Sequence, residues 1–273
     1  MFQAERRTTL LDGGFTFLTL TFHNAVRSTR SSHRDALLAI LINILQTVVM
    51  VAAFFLLLDM LGLRRLAIRG DFLLYVMSGI FVFMTHLKSL GAVMGSDGPT
   101  SPMMQHLPMN QPIAVCASAL GALYVQVISM FAILICYHLL WKPIEISEPF
   151  GAAMMLLLAW FSGCAVGLVL LGVKPWFPKA TGLFAQIYNR FNMFASGKMF
   201  VANNLPAHLI AMFAWNPLFH IIDQGRGYIF VNYNPLKSSL TYPIVVSLIL
   251  IAIGIMLVSK TSREASLSWS AGR

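Results

Sequence analysis

The stretch Phe150-Gly-Ala-Ala-Met-Met-Leu-Leu-Leu-Ala-Trp-Phe-Ser-Gly-Cys-Ala-Val-Gly-Leu-Val-Leu-Leu-Gly-Val173 contains no charged residue. At a rise of about 1.5 Å per residue, roughly 20 helical residues cross a hydrocarbon core of ~30 Å. The stretch is long enough to do so, and it lacks the polar face that a water-soluble helix carries. It is continuous, without the alternation of a barrel strand. It therefore reads as a transmembrane helix. Four further runs read the same way: Ala36–Leu58, Phe72–Met94, Ile113–Trp141 and Pro243–Ser259. The 273-residue chain is 58% hydrophobic and only 11% charged, with a mean hydropathy of +0.74. Soluble domains carry about 25% charged residues. The expected fold class is all-α, a polytopic membrane protein forming one membrane domain over residues 1–273.

A sixth candidate span, Ala180–Val201, is more polar, with Gln186, Asn189, Arg190, Asn192, Ser196 and Lys198. Polar groups at this depth face protein or water rather than lipid. Two readings stand: a span lining an interior or a subunit interface, and an interfacial helix. The residues from Asn203 to Ala214 are apolar but too few to cross. Asn216-Pro217 comes after them, so they read as one limb of a re-entrant helical hairpin, with 217–230 as the other. In this second limb His220, Asp223 and Arg226 share a helical side, and an ion pair of Asp223 with Arg226 at i,i+3 is expected.

The N-terminal region adds an amphipathic pattern. Phe15, Leu18, Phe22 and Val26 recur at helical spacing before Arg27, Arg30, His33 and Arg34. An interfacial helix over 15–34 fits, as does a plain basic flank that sets topology. The Thr8–Phe22 region is broken by Asp12-Gly13-Gly14 and does not read as a cleavable signal. With six spans and a cytoplasmic N-terminus, eleven Lys and Arg fall on inner segments and seven on outer ones, with Arg190 inside a span. Both termini are then cytoplasmic.

Several chemistries are absent. Gly197-Lys198 lacks the preceding glycine and following Ser or Thr of a phosphate-binding loop. There is no His-Glu-x-x-His and no Gly-x-Ser-x-Gly pattern. No carboxylate stands mid-span, as an ion-coupled carrier would need. Cys116, Cys136 and Cys164 lie in apolar runs and read as small buried hydrophobes. The formal charge is +9, but the basic residues are scattered between spans, so no nucleic-acid surface is expected. No catalytic residue and no metal site are expected; the chain reads as a non-enzyme.

Two loop and packing features remain. The segment Gly95–Pro112 holds Pro99, Pro102, Pro108 and Pro112 around Met103-Met104-Gln105-His106-Leu107. It reads as a docking segment for a partner protein or as a Pro-rich turn, and adaptable methionines favour docking. Gly91-x-x-x-Gly95 and Gly163-x-x-x-Gly167 permit close helix approach, either inside the chain or at a dimer seam. Tyr188, Phe191 and Phe194 are either interface aromatics or a stacking surface for sugar rings.

Together the interfacial helix, the Pro-bounded loop and the Asn-Pro-Leu block resemble the membrane subunit of polysaccharide-exporting ABC transporters, the capsule and O-antigen export permeases. The closest likeness is Asn216-Pro-Leu-Phe-His-Ile-Ile-Asp-Gln-Gly-Arg226, with Leu107-Pro108-Met-Asn-Gln-Pro112-Ile113 and Lys260-Thr-Ser-Arg-Glu-Ala265 beside it. The resemblance implies a homodimer in the bacterial inner membrane with two copies of a separate ATPase, which binds ATP and Mg. It implies passage of a capsular or related polysaccharide or lipid-linked glycan, with periplasmic or outer-membrane export proteins as further partners. On that plan Met103, Met104, Gln105, His106, Leu107, Arg27, Arg30 and Arg34 meet the ATPase. Tyr188, Arg190, Phe191, Phe194 and Lys198 line the conduit, although an internal hydrogen bond to a carbonyl accounts for Arg190 equally well. Asn216, Pro217, His220, Asp223 and Arg226 form the structural re-entrant motif. The alternatives are an ABC permease for another lipid or drug, and a non-ABC membrane transporter or scaffold.

Overall fold

The computed structural model describes Thr19 and residues 36–62, 71–96 and 111–270. Apart from Thr19, the expected interfacial helix at 15–34 lies outside the described residues, as does the segment Met103–Leu107. Among the described residues there is no strand. The helices are α1 (Ala36–Met60), α2 (Phe72–Met94), α3 (Gln111–Leu140), α4 (Pro149–Val173), α5 (Pro178–Ala195), α6 (Ala207–Phe213), α7 (Pro217–Ile229) and α8 (Thr241–Ser270). Five of them, α1 to α4 and α8, are long and apolar enough to cross a membrane.

Local chemistry sets several boundaries. Asp71 caps α2 by accepting from the Leu73 amide at 2.9 Å. Proline occupies the first turn of α4, α5 and α7, where a missing N–H leaves nothing unpaired. Asn216 caps α7 by accepting from the Leu218 amide at 3.1 Å. The sixth candidate span is shorter than its apolar window suggested. Helix α5 stops at Ala195, and Gly197 at φ +79° turns the chain. The residues after it fold into the protein as a non-helical turn.

Helix α2 is the axis of the bundle. In its most apolar window 83% of residues are buried, against 22% in α1 and in α3 and 17% in α8. The outer helices therefore present leucines, isoleucines and phenylalanines outward, among them Leu45, Leu56, Phe131, Ile249 and Met256. An aqueous surface would not tolerate this; acyl chains match it.

Packing around the axis relies on small residues, as bilayer helices require when no hydrophobic gain separates lipid from protein contacts. Helices α2 and α4 run parallel. A Cβ on Gly163 would lie 2.3 Å from the His86 carbonyl oxygen, and one on Gly167 would lie 2.7 Å from that of Leu90. Helices α4 and α8 meet the same way at Gly172 against Leu257 and Gly254 against Leu168. So Gly163-x-x-x-Gly167 is an internal seam, whereas Gly91 faces nothing within 4 Å among the described residues. Polar side chains add tethers: Asn43 of α1 donates to Gln126 of α3 at 3.0 Å, both buried. At the Lys174 end, Ser262 of α8 donates to Gln111 of α3 at 2.7 Å.

Gly163→Ala should force α2 and α4 apart and cost about 1–3 kcal/mol, as overpacking does. The melting temperature of the solubilised chain reads this out, and it should fall. Gly91→Ala should leave it unchanged. Equal behaviour of the two variants would contradict the seam.

Candidate functional site

The block after α5 gathers the polar side chains that the apolar spans exclude. The polar residues of helix α7 each take different partners. At its start, Asn216 donates to Asn192 Oδ1 at 2.8 Å and to the Ala195 carbonyl at 3.0 Å, tying α7 to the end of α5. One turn on, His220 accepts at Nδ1 from the Ser239 amide (3.0 Å) and donates from Nε2 to the Ala214 carbonyl (2.9 Å). These partners define a neutral ring protonated on Nε2.

Asp223 faces the loop before α8. It accepts from the Tyr233 hydroxyl and, at 2.6 Å, from Ser238 Oγ. Burial, the Asp223 charge and this hydrogen bond push the Tyr233 hydroxyl well above its usual titration range, so it stays a donor. Arg226 donates instead to backbone carbonyls, so the expected ion pair of Asp223 with Arg226 is replaced by two separate sets of partners, one in the following loop and one in the preceding turn.

Arg226 is 1% exposed. Its Nη1 donates to the carbonyls of Gly197 at 2.9 Å and Phe200 at 2.8 Å, and its Nη2 to that of Lys198 at 2.7 Å. Its Cζ lies 4.1 Å from the Tyr75 ring centroid. Beneath it is Gly79 of α2, where a Cβ would come within 2.9 Å of Nη2. Helices α2 and α7 and the turn at 197–200 thus close on one guanidinium. Its planar fork suits three divergent carbonyls in a way an ammonium cannot.

Lys198 is the counterpart within the same turn. Its backbone carbonyl is held by Arg226, but its Nζ has no hydrogen-bond partner among the described residues and the residue is 2% exposed. The ammonium lies 3.2 Å from the Phe83 ring centroid and 4.6 Å from that of Phe54. Desolvated cation–π contacts are worth about 2 kcal/mol, less than the cost of burying an unpaired charge.

The five residues expected to line a conduit divide into two groups. Arg190, Phe191 and Phe194 lie exposed along the open side of α5. Tyr188 and Lys198 turn inward. Tyr188 donates to His86 Nε2 at 3.0 Å, His86 Nδ1 donates to Ser162 Oγ at 2.9 Å, and Ser162 donates to the Ala159 carbonyl at 2.9 Å. This directional chain joins α5 to α2 and α4. His86, Tyr75, Gly79 and Tyr233 were not singled out from the sequence. His86 and Gly79, set among large apolar side chains in the run Phe72–Met94, were the available signals. Helix α5 keeps Thr181, Ala185, Asn192 and Ala195 inward and its large apolar residues outward.

The proposed docking residues Arg27, Arg30, Arg34 and Met103, Met104, Gln105, His106 and Leu107 lie outside the described residues. The described flanks of their loop are anchored: Lys174 donates to the Met94 carbonyl at 3.2 Å on one side, and Gln111 accepts from Ser262 on the other. Among the described residues no group of three or more His, Cys, Asp or Glu could hold a metal ion. The cluster fixes backbone: Asn216 and Arg226 hold the end of α5 and the turn after it.

No protein-family model matches the chain. It is 25% identical over 202 residues to a polysialic acid transport protein, KpsM, of Escherichia coli, covering 72% of this chain and 74% of that protein. A second Escherichia coli protein of the same name is 24% identical over the same length. This similarity bears out the resemblance to polysaccharide-export permeases read from the sequence.

Arg226→Met should leave three buried carbonyls without donors and cost about 3 kcal/mol or more. Thermal unfolding of the solubilised chain should then begin several degrees lower. Arg226→Lys should recover only part of the loss, and full recovery by Lys would contradict the fork geometry.

Proposed function

We propose that this chain is the membrane subunit of an ATP-driven exporter that passes an acidic cell-surface polysaccharide across the inner membrane. It works as a homodimer with two copies of a separate ABC ATPase, which binds ATP and Mg. The observation that carries the reading is the similarity to polysialic acid transport proteins over 72% of the chain. The apolar bundle supports the membrane part of it, with five helices long enough to cross. Counted as a crossing, α5 brings both termini to one side, and the distribution of Lys and Arg assigns that side to the cytoplasm.

The physics of the cargo fits the layout. A polymer cannot be enclosed in one small pocket, so it needs a continuous path with weak contacts along it. The open side of α5 offers aromatic faces at Phe191 and Phe194 with the guanidinium of Arg190 beside them. Sugar rings stack on such faces, and a cation among them favours a polymer bearing carboxylates. A second copy of the chain would close this side into a conduit. The Asn216–Arg226 block then shapes its outer end. The loop containing Met103–Leu107 meets the ATPase, with the basic segment Arg27–Arg34 beside it.

Affinity-tagged chain purified in mild detergent should retain a nucleotide-binding ABC subunit. Replacing Met103–Leu107 with Gly and Ser should abolish that retention while membrane insertion persists. A wild-type chain that retains no such subunit would contradict the exporter reading. Retention by the loop variant would contradict the docking assignment.

A further inference from the structure

Lys198 is held in an unusual way. Its backbone is fixed, since Arg226 grips the carbonyls of Gly197, Lys198 and Phe200. Among the described residues its ammonium meets rings and no hydrogen-bond partner, despite 2% exposure. A buried lysine normally finds a carboxylate or carbonyl, because an unpaired charge away from water is costly. Here both faces are aromatic: Phe83 at 3.2 Å and Phe54 at 4.6 Å. An apolar side chain of the same length would fill the site at lower cost. An amine is therefore kept, at a cost to stability, where an apolar side chain would serve, and this fits a use elsewhere in the cycle.

The two rings differ in what carries them. Phe83 belongs to α2, the buried axis. Phe54 belongs to α1, whose most apolar window is only 22% buried. Withdrawal of Phe54 with α1 would uncover the ammonium while the turn beneath it stays in place. The side chain begins three residues beyond Ala195, the end of α5, where Phe191 and Phe194 lie on the open side.

We infer that Lys198 is a stored anion-binding group, held between Phe83 and Phe54 in this conformation and released, when α1 moves, to bind a carboxylate of the passing polymer. This rests on the exporter reading and adds a residue, a ligand group and a trigger to it.

The test uses the complete chain with its ATPase, reconstituted in nanodiscs. It compares wild type, Lys198→Met and Phe54→Leu for thermal unfolding and for ATP hydrolysis with and without oligosialic acid, with dextran of similar length as the neutral control. Lys198→Met should unfold higher, by about 2 °C or more. Its stimulation by oligosialic acid should fall by about fivefold, the contribution of one ordinary charge contact. Phe54→Leu loosens the box, so it should respond to oligosialic acid at lower concentration than wild type. Dextran should stimulate none of the three. Lys198→Met that unfolds lower than wild type, or keeps its full response, overturns the inference. So does Phe54→Leu with an unchanged half-saturating concentration. A wild-type complex that does not respond to oligosialic acid sinks the acidic-glycan reading itself, and the anion site with it.

Discussion

Backbone that leaves a helix inside a membrane bundle must still satisfy its carbonyl groups, because hydrocarbon offers no substitute for water. In the turn after α5 that requirement falls on one side chain. Helix α5 ends at Ala195, and the turn beyond it would bury the carbonyls of Gly197, Lys198 and Phe200 unpaired. The guanidinium of Arg226 donates to all three. The cation needs room and a complementary face in return. Gly79 supplies the space on α2, and the Tyr75 ring supplies the face. A substitution at any of these points disturbs the end of α5, the axis helix and the re-entrant limb together.

The spans were legible because a bilayer imposes a crude rule: about 20 predominantly apolar residues. The five runs that met it became α1 to α4 and α8. Where polar residues interrupted the pattern, periodicity no longer measured helix length. Ala180–Val201 read as one unit, yet its last part is a turn folded inward, since Gly197 can adopt φ +79° and Arg226 can cap the carbonyls of that turn. The Asn216–Arg226 block was recognisable as architecture, but its partners were not. Spacing of three suggested that Asp223 pairs with Arg226. Each instead found a partner brought from elsewhere in the chain, Tyr233 and Ser238 for one and the 197–200 carbonyls for the other. Long-range contacts of this kind leave no periodic trace.

The two ends of the molecule divide the work. At the Lys174 end, hydrogen bonds from Lys174 to Met94 and from Ser262 to Gln111 fix the stems of the loop between α2 and α3. A force applied to that loop is thereby shared among α3, α4 and α8. At the opposite end, α7 links α5, α2 and the segment before α8 through Asn216, Arg226 and Asp223. Between them the chain from Tyr188 through His86 to Ser162 keeps α5 in register with the axis. The helix that carries Arg190 and the exposed aromatics is thus tied at its middle and at its end, with its other side left uncovered.

The most direct test is ATP-driven uptake of fluorescent oligosialic acid into inside-out vesicles that contain the chain and its ATPase. Wild type should accumulate the oligosaccharide only with ATP present. Arg226→Gln, inserted at equal abundance, should accumulate little, because the outer end of the path loses its brace. Absence of ATP-dependent uptake by wild type, or equal uptake by Arg226→Gln, would contradict the link between the Arg226 turn and glycan export.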